Sequence, residues 1–334
     1  RLGFPNRHPQ NVSMHGDAFN EADLVMALDV VDWTRGSHKP NWQTREVESL
    51  CKPGCKWIDV GFADIEISKW ATDYNKHHNW DMRILADTAN AIPALTAAVK
   101  ERVAGDAKLA GRIEERKKAI GEKHAAQWAK WQDEVKERWD QRPMHESRMA
   151  HEVWEAIKGE DWVLTAGTLK TWTHKIWDFN APYRHPGREL GTGTQFGMSL
   201  GVALAHKGSG KLVVDLQPDG DLMFDLGALW IAAKYEIPML VVMYNNRAYY
   251  NDWAHQIHVA ESRGTDPMRA YIGMDIEGPE PDFAHIAKGM DWWAEGPIED
   301  PADVVPAVQR AIEQVKAGKP ALVDVIVDRR EGTA

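Results

Sequence analysis

The sequence predicts an α/β chain in which two parallel-sheet domains are joined by a long helical linker. Three observations predict it. Short apolar runs alternate with helical stretches over residues 1–100 and again over 144–334, the pattern of strand–helix–strand units. Residues 101–143 between them are rich in Lys, Glu, Arg and Ala and sparse in apolar side chains. The length of 334 residues fits about two domains at roughly 100–200 residues each. Both domains are expected to be Rossmann-like.

In the first domain, Leu24–Val31 (LVMALDVV) reads as a buried strand. A polar, Pro-containing segment follows at 35–43. Further short strands are expected around Trp57–Val60 and Met82–Leu85, and a helix from about Asn90 to Arg102. In the linker, the steps Trp128–Trp131–Val135 approach helical spacing, so one stripe can dock on a core while a charged face stays solvated. Pro143 is expected to end it.

The second domain opens with a helix at 146–158, a strand at Trp162–Ala166 and a helix near 170–178. A glycine-rich turn, GTGTQFG at 191–197, leads into a helix ending near His206. Strand 211–217 (KLVVDLQ), a polar turn and a helix at about 225–235 come next. Strand 238–246 is followed by a long loop, helices near 282–289 and 302–317, and a last strand at 321–327. Trp292 and Trp293 are expected to pack between domains.

Composition excludes several classes. With 43% hydrophobic residues the chain can bury a core, while 27% charged residues and a mean hydropathy of −0.49 exclude a membrane protein. No apolar run approaches the ~20 residues that cross a bilayer. Forty Lys+Arg against 50 Asp+Glu give a formal charge of −10, which argues against a nucleic-acid partner. Two cysteines exclude a disulfide scaffold and point to a reducing, cytoplasmic setting. Tryptophan, at 16, outnumbers Tyr and Phe at 7 each.

The most informative feature is PDGD at 218–221 followed by NN at 245–246. Asp219 stands just past one apolar strand and Asn246 ends the next. A βαβ unit brings both strand tips to one edge, where ligands of open α/β sheets bind. A carboxylate and an amide oxygen converging there suit Mg²⁺, which takes few protein ligands and fills its shell from phosphate and water. Gly220 lets the backbone approach a phosphate closely. Ordinary strand-end turns use the same residue types, and it is the spacing that favours the metal–diphosphate reading.

The run PDGDLMFDLGALWIAAKYEIPMLVVMYNN resembles the thiamine-diphosphate fingerprint, GDG followed by about two dozen residues and NN. LTAGTLKTWTHKIWDFNAPYRHPGRELGTGTQFGMSLGVALA is similar to the start of the diphosphate-binding domain of acetolactate-synthase-like enzymes. HGDAFNEADLVMALDVVDW and CKWIDVGFADIEISKW resemble the latter part of their middle domain. The resemblance implies a partial middle domain over 1–100 and a thiamine-diphosphate-binding domain over 144–334. It implies Asp219 and Asn246 as Mg²⁺ ligands by side chain and Ala248 by its carbonyl. Gly220 and Asp221 would give N–H groups to the diphosphate, Gly167, Thr168 and Leu169 would touch it, and Tyr249 would flank the cofactor.

The chain departs from the family in three places. Pro218 replaces the first Gly of GDG. Thr194, with Leu190 nearby, stands where a bulky apolar residue usually bends the cofactor. Glu189 falls where small residues are usual and is either an acid–base group projecting toward substrate or a surface salt-bridge partner. The resemblance also implies an activating Glu on a pyrimidine-binding domain, which has no room before residue 20. The expectation is therefore half of an enzyme, in which a second polypeptide of a hetero-oligomer, or a cleaved-off N-terminal part, supplies that Glu. The implied activity is C–C bond lyase or carboligase chemistry next to the carbonyl of a small, possibly aromatic substrate, with 2-oxoacid decarboxylase as the alternative.

Other signals are weaker. Gly197–Gly201 matches the GxSxG elbow of serine hydrolases, with Ser199 as nucleophile, but no apolar strand precedes it. HKGSGK at 206–211 leads into a strand, whereas a P-loop leads out of one. Cys51 and Cys55 lack a second pair and do not make a metal site. His174, His185, His255 and His258 are expected to flank the cleft, and Tyr249, Tyr250 and Trp253 either line a pocket or cap the core.

Overall fold

The computed structural model describes residues 3–15, 17–30, 34–41, 46–62, 79–165, 170–185 and 191–329. The chain divides into two compact units, Pro9–Gln127 and Arg1–His8 together with Trp128–Ala334.

The first unit holds strands β1 (Leu24–Leu28), β2 (His38–Pro40), β3 (Val47–Ser49), β4 (Lys56–Val60) and β5 (Met82–Ile84). A parallel sheet runs β1-β4-β5, and β2 and β3 form an antiparallel pair. Asp87 caps helix Thr88–Ala104 by accepting the Ala89 N–H at 2.8 Å. That helix stops at Gly105. Asp106 accepts from Leu109 at 2.9 Å as the next helix, Ala107–Glu137, begins. The charged stretch is thus two helices broken at Gly105, and the second ends six residues before Pro143.

The second unit is built on a five-stranded, all-parallel sheet. Its strands are β6 (Trp162–Leu164), β7 (Leu212–Pro218), β8 (Leu240–Asn245), β9 (Trp293–Ile298) and β10 (Ala321–Ile326), in the order β6-β7-β8-β10-β9. Parallel strands covered on both faces read as continuous apolar runs, and period-two alternation sorts them. Leu212, Val214 and Leu216 share a face with Leu240, Val242, Ala321, Val323 and Val325, under helices Glu146–Ile157 and Val304–Lys316. Val213, Val241, Met243 and Leu322 face helices Gln195–His206, Ala228–Lys234 and Phe283–Gly289. Each fully buried Val, Leu or Met among them contributes about 1.5–3 kcal/mol of transfer free energy.

The tryptophans explain themselves here. Trp162, Trp177 and Phe179 meet edge-on or stacked at 5.2–6.4 Å. The Trp177 indole donates to Ala150 O at 2.8 Å. Asn6 anchors the opening residues to this cluster, donating to the carbonyls of His174 and Trp177 and accepting from Phe179 N–H, each at 2.9 Å. Trp131 and Val135 are buried, so the stripe expected on the charged helix docks as its spacing suggests.

The α/β class and parallel sheets hold, with five local corrections. β1, expected to be buried, leaves Leu24 and Leu28 exposed. Helix Tyr250–Ser262 replaces the long loop expected after β8. β9 has no counterpart in the sequence reading. The polar turn after β7 is itself a short helix, Asp219–Met223. Trp292 lies inside the second unit, donating to Leu229 O at 2.8 Å, and Trp293 begins β9; their packing is accounted for within that unit's own core.

Candidate functional site

β7 and β8 are neighbours in register, Pro218 opposite Tyr244, so their C-terminal tips share one edge of the sheet. Pro218 ends β7 in an extended conformation and Asp219 starts the short helix. Asp219 is only 1% exposed. Its Oδ1 accepts the Gly220 N–H at 2.8 Å. Its Oδ2 is buried and has no hydrogen-bond partner. Burial pushes the carboxyl up to about 7, against the pull of the backbone N–H groups of Gly220, Arg247 and Ala248. An unpartnered carboxylate oxygen in a low-dielectric setting is costly, and a bound cation would relieve it.

The tip of β8 supplies the rest. Asn246 is 8% exposed, and its Oδ1 accepts the Ala248 N–H at 3.1 Å. Arg247 takes a left-handed φ of 55°. Its carbonyl accepts from Ile276 at 2.8 Å, and the Tyr249 N–H donates to Met274 O at 2.7 Å. These two bonds hold Ala248 opposite Asp275 without using the Ala248 carbonyl. The structure therefore sets Asp219 beside the 246–248 turn. Among the described residues no three His, Cys, Asp or Glu side chains gather around a cation position. The donor set available is one carboxylate, one amide oxygen and one carbonyl, all hard oxygen.

Asp221 and Thr194 act locally in ways the sequence did not suggest. The Asp221 carboxylate accepts from the Gly193 N–H, from Gln195 N at 3.3 Å and from Gln217 Nε2 at 3.2 Å. It therefore clamps the 191–195 turn to the helix after β7. Gly193 has φ 79°, and a Cβ there would sit 3.0 Å from Phe224 Cβ. Thr194 Oγ1 donates to Gly191 O at 2.5 Å and accepts the Gly191 N–H at 3.0 Å, so its hydroxyl closes its own turn. Tyr249 packs against Gly220 and stands edge-on to Phe224 at 5.8 Å.

Gly167, Thr168, Leu169, Glu189 and Leu190 lie outside the described residues. Ser199 is buried in helix Gln195–His206 with its hydroxyl toward Thr165 O at 3.5 Å, the placement of a packing residue and not of an exposed nucleophile. The His174 ring meets Phe179 edge-on at 5.2 Å in the aromatic core. His255 and His258 lie on helix Tyr250–Ser262, where Trp253 sits between Tyr250 and Tyr271, both at 6.2 Å. Cys51 and Cys55 are free thiols, and burial with the neighbouring Cys55 pushes Cys51 up to about 11.

Four buried polar residues of the sheet strands were given no role of their own by the sequence: Asp215, Gln217, Asp324, and Asn245, which entered only as the first half of the NN pair. By alternation all four fall on the sheet face that carries Val213, Met243 and Leu322, toward the C-terminal ends of their strands. A polar substitution at period two near the end of an apolar strand is the signal that would have found them.

Residues 165–325 match the family model for the thiamine pyrophosphate enzyme, C-terminal TPP binding domain. That stretch is a domain of the thiamine-diphosphate-dependent enzymes. Two curated relatives of the chain are of the acetolactate synthase kind. It is 29% identical over 137 residues to the Mycobacterium tuberculosis (strain ATCC 25618 / H37Rv) protein named "Putative acetolactate synthase large subunit IlvX", covering 40% of this chain and 25% of that one. It is 28% identical over 185 residues to the acetolactate synthase isozyme 3 large subunit of Escherichia coli (strain K12), covering 54% of this chain and 30% of that one. The match thus spans less than a third of these relatives' own length. A thiamine diphosphate-dependent 4-hydroxybenzoylformate decarboxylase of Rhodococcus jostii RHA1 shares the fold, with TM-score 0.57 at 16% identity over 97% of this chain and 54% of that chain. No described helix is long and apolar enough to cross a membrane.

Proposed function

We propose that this chain holds the diphosphate of thiamine diphosphate through a divalent cation, Mg²⁺ by its oxygen donors, and serves a C–C bond lyase or carboligase acting next to a carbonyl. The observation that carries the reading is the buried, unpartnered Oδ2 of Asp219 beside the 246–248 turn. Asp219 and Asn246 by side chain and Ala248 by carbonyl would hold the cation. Gly220 and Asp221 would offer backbone N–H groups to the diphosphate, and Gly167, Thr168 and Leu169 would touch it on the strength of the family resemblance. The cofactor, when bound, supplies an electron sink for the carbon next to the carbonyl. Glu189 would hold or release a proton on the substrate side. We place residues 1–100 as a partial middle domain, 101–143 as its linker and 144–334 as the cofactor domain, working in the cytoplasm.

We further propose that the activating Glu comes from a pyrimidine-binding domain outside these residues, carried by a second polypeptide in a hetero-oligomer. The acetolactate-synthase kinship of the sequence relatives favours carboligase chemistry over 2-oxoacid decarboxylation. Titration calorimetry with Mg²⁺ and thiamine diphosphate tests the reading. Binding in wild type and its loss in Asp219→Ala, with circular dichroism unchanged, is the expected result. Equal binding by both proteins would overturn it. A fluorophosphonate probe is expected to leave Ser199 unlabelled.

A further inference from the structure

Asp324 is 1% exposed on β10, at an irregular point of the sheet. The pairing of β10 with β9 shifts register between Val323 and Val325, on either side of Asp324. Opposite stands Gly296 with φ 138°, where a Cβ would lie 2.7 Å from Asp324 Cβ and from its carbonyl oxygen. Only glycine leaves room. The carboxylate carries an unpartnered Oδ2, so its burial is a cost that some other feature must offset.

The other oxygen shows what it does. Asp324 Oδ1 accepts from Asn245 Nδ2 at 3.0 Å. That bond fixes the amide so that Asn245 Oδ1 faces the Arg247 N–H, 3.3 Å away. The next amide, Asn246, captures the Ala248 N–H in the same way. Two successive Asx-type bonds thus shape a turn whose middle residue is left-handed, a conformation that costs an Arg free energy unless its surroundings impose it.

We infer that Asp324 is a positioning residue: acting through Asn245, it sets the 245–248 turn that presents Asn246 and the Ala248 carbonyl to the cation beside Asp219. The cation clause rests on the function proposed above; the turn clause does not. Outer partners of metal ligands are worth about 10–100-fold in metal affinity, and that is the size of effect assigned to Asp324.

The test uses the whole protein with two readouts. Amide exchange at Arg247 reports the turn without any ligand, and binding of Mn²⁺ alone, followed by electron paramagnetic resonance, reports the cation. Asp324→Ala is expected to speed exchange at Arg247 and weaken Mn²⁺ about 10–100-fold. Asp324→Asn keeps an oxygen acceptor for Asn245 and should restore both. Asn245→Ala should mimic Asp324→Ala, with little further effect in the double variant. Arg247 exchange unchanged in Asp324→Ala would overturn the inference, as would failure of Asp324→Asn to differ from Asp324→Ala. Wild type that fails to bind Mn²⁺ would count against the proposed function instead, and the exchange data would still decide the turn.

Discussion

Gly220 and Tyr249 are packed so closely that a Cβ on the glycine would lie 2.6 Å from two carbons of the tyrosine ring. The ring closes one side of the peptide that follows Asp219. Gly220→Ala must displace that ring, an overpacking of the kind that costs about 1–3 kcal/mol. Thermal melting should fall, and cofactor affinity should fall with it. Trimming the ring in Gly220→Ala/Tyr249→Ala should recover the melting temperature. A single variant that melts and binds like wild type would show that the close packing has no consequence.

Asp219→Asn separates cost from function. The substitution keeps the shape and removes the charge that burial disfavours. In metal-free protein at pH 8 the variant should be at least as stable as wild type, because an unpartnered buried carboxylate is lost. Cation affinity should drop by at least the about 10–100-fold seen when outer partners of metal sites are lost. Calorimetry and melting curves on the same samples read both effects, and a stability loss with intact binding would reverse the assignment.

Asp221→Ala tests the clamp. Three donors, the Gly193 and Gln195 N–H groups and the Gln217 amide, lose their acceptor. Leaving buried donors without a partner costs about 1–3 kcal/mol each. Faster amide exchange confined to 191–195, with the sheet unaffected, is the expected outcome; unchanged protection there would refute it.

Burial pushes Asp324 from the ordinary 3.8 up to about 6. A carboxyl whose folded value lies above its unfolded one contributes stability below about pH 3.8, and that contribution is lost as the pH rises through about 6. Asp324→Asn does not titrate. Melting of metal-free protein should therefore shift in favour of Asp324→Asn as the pH is raised from 4 to 7. A difference that stays flat across that range would contradict the shift.

The elements legible in the sequence were those whose local pattern and packing agree. β7, β8 and β10 are continuous apolar runs because both sheet faces are covered, and Asp219 and Asn246 were visible as the residues ending two of them. β9 was not legible, because WAEGPI is neither a continuous apolar run nor an alternating one and carries Gly296 and Pro297, which its place at the sheet edge tolerates. Helix Tyr250–Ser262 has no buried residue, so no apolar stripe announces it. The Asp221 clamp and the Asp324–Asn245 link join residues 28 and 79 positions apart, and nothing in local spacing encodes such a meeting.

In the unit Pro9–Gln127 the apolar side chains are poorly covered. Leu24, Leu28, Met82 and Ile84 of its sheet are exposed, and helix Thr88–Ala104 buries nothing. Backbone protection is drawn from buried contacts. Proteases and deuterium should therefore enter this region first, long before the five-stranded sheet yields, and the molecule should come apart in stages, the melting of the Gly220, Asp219 and Asp324 variants being read on the later one.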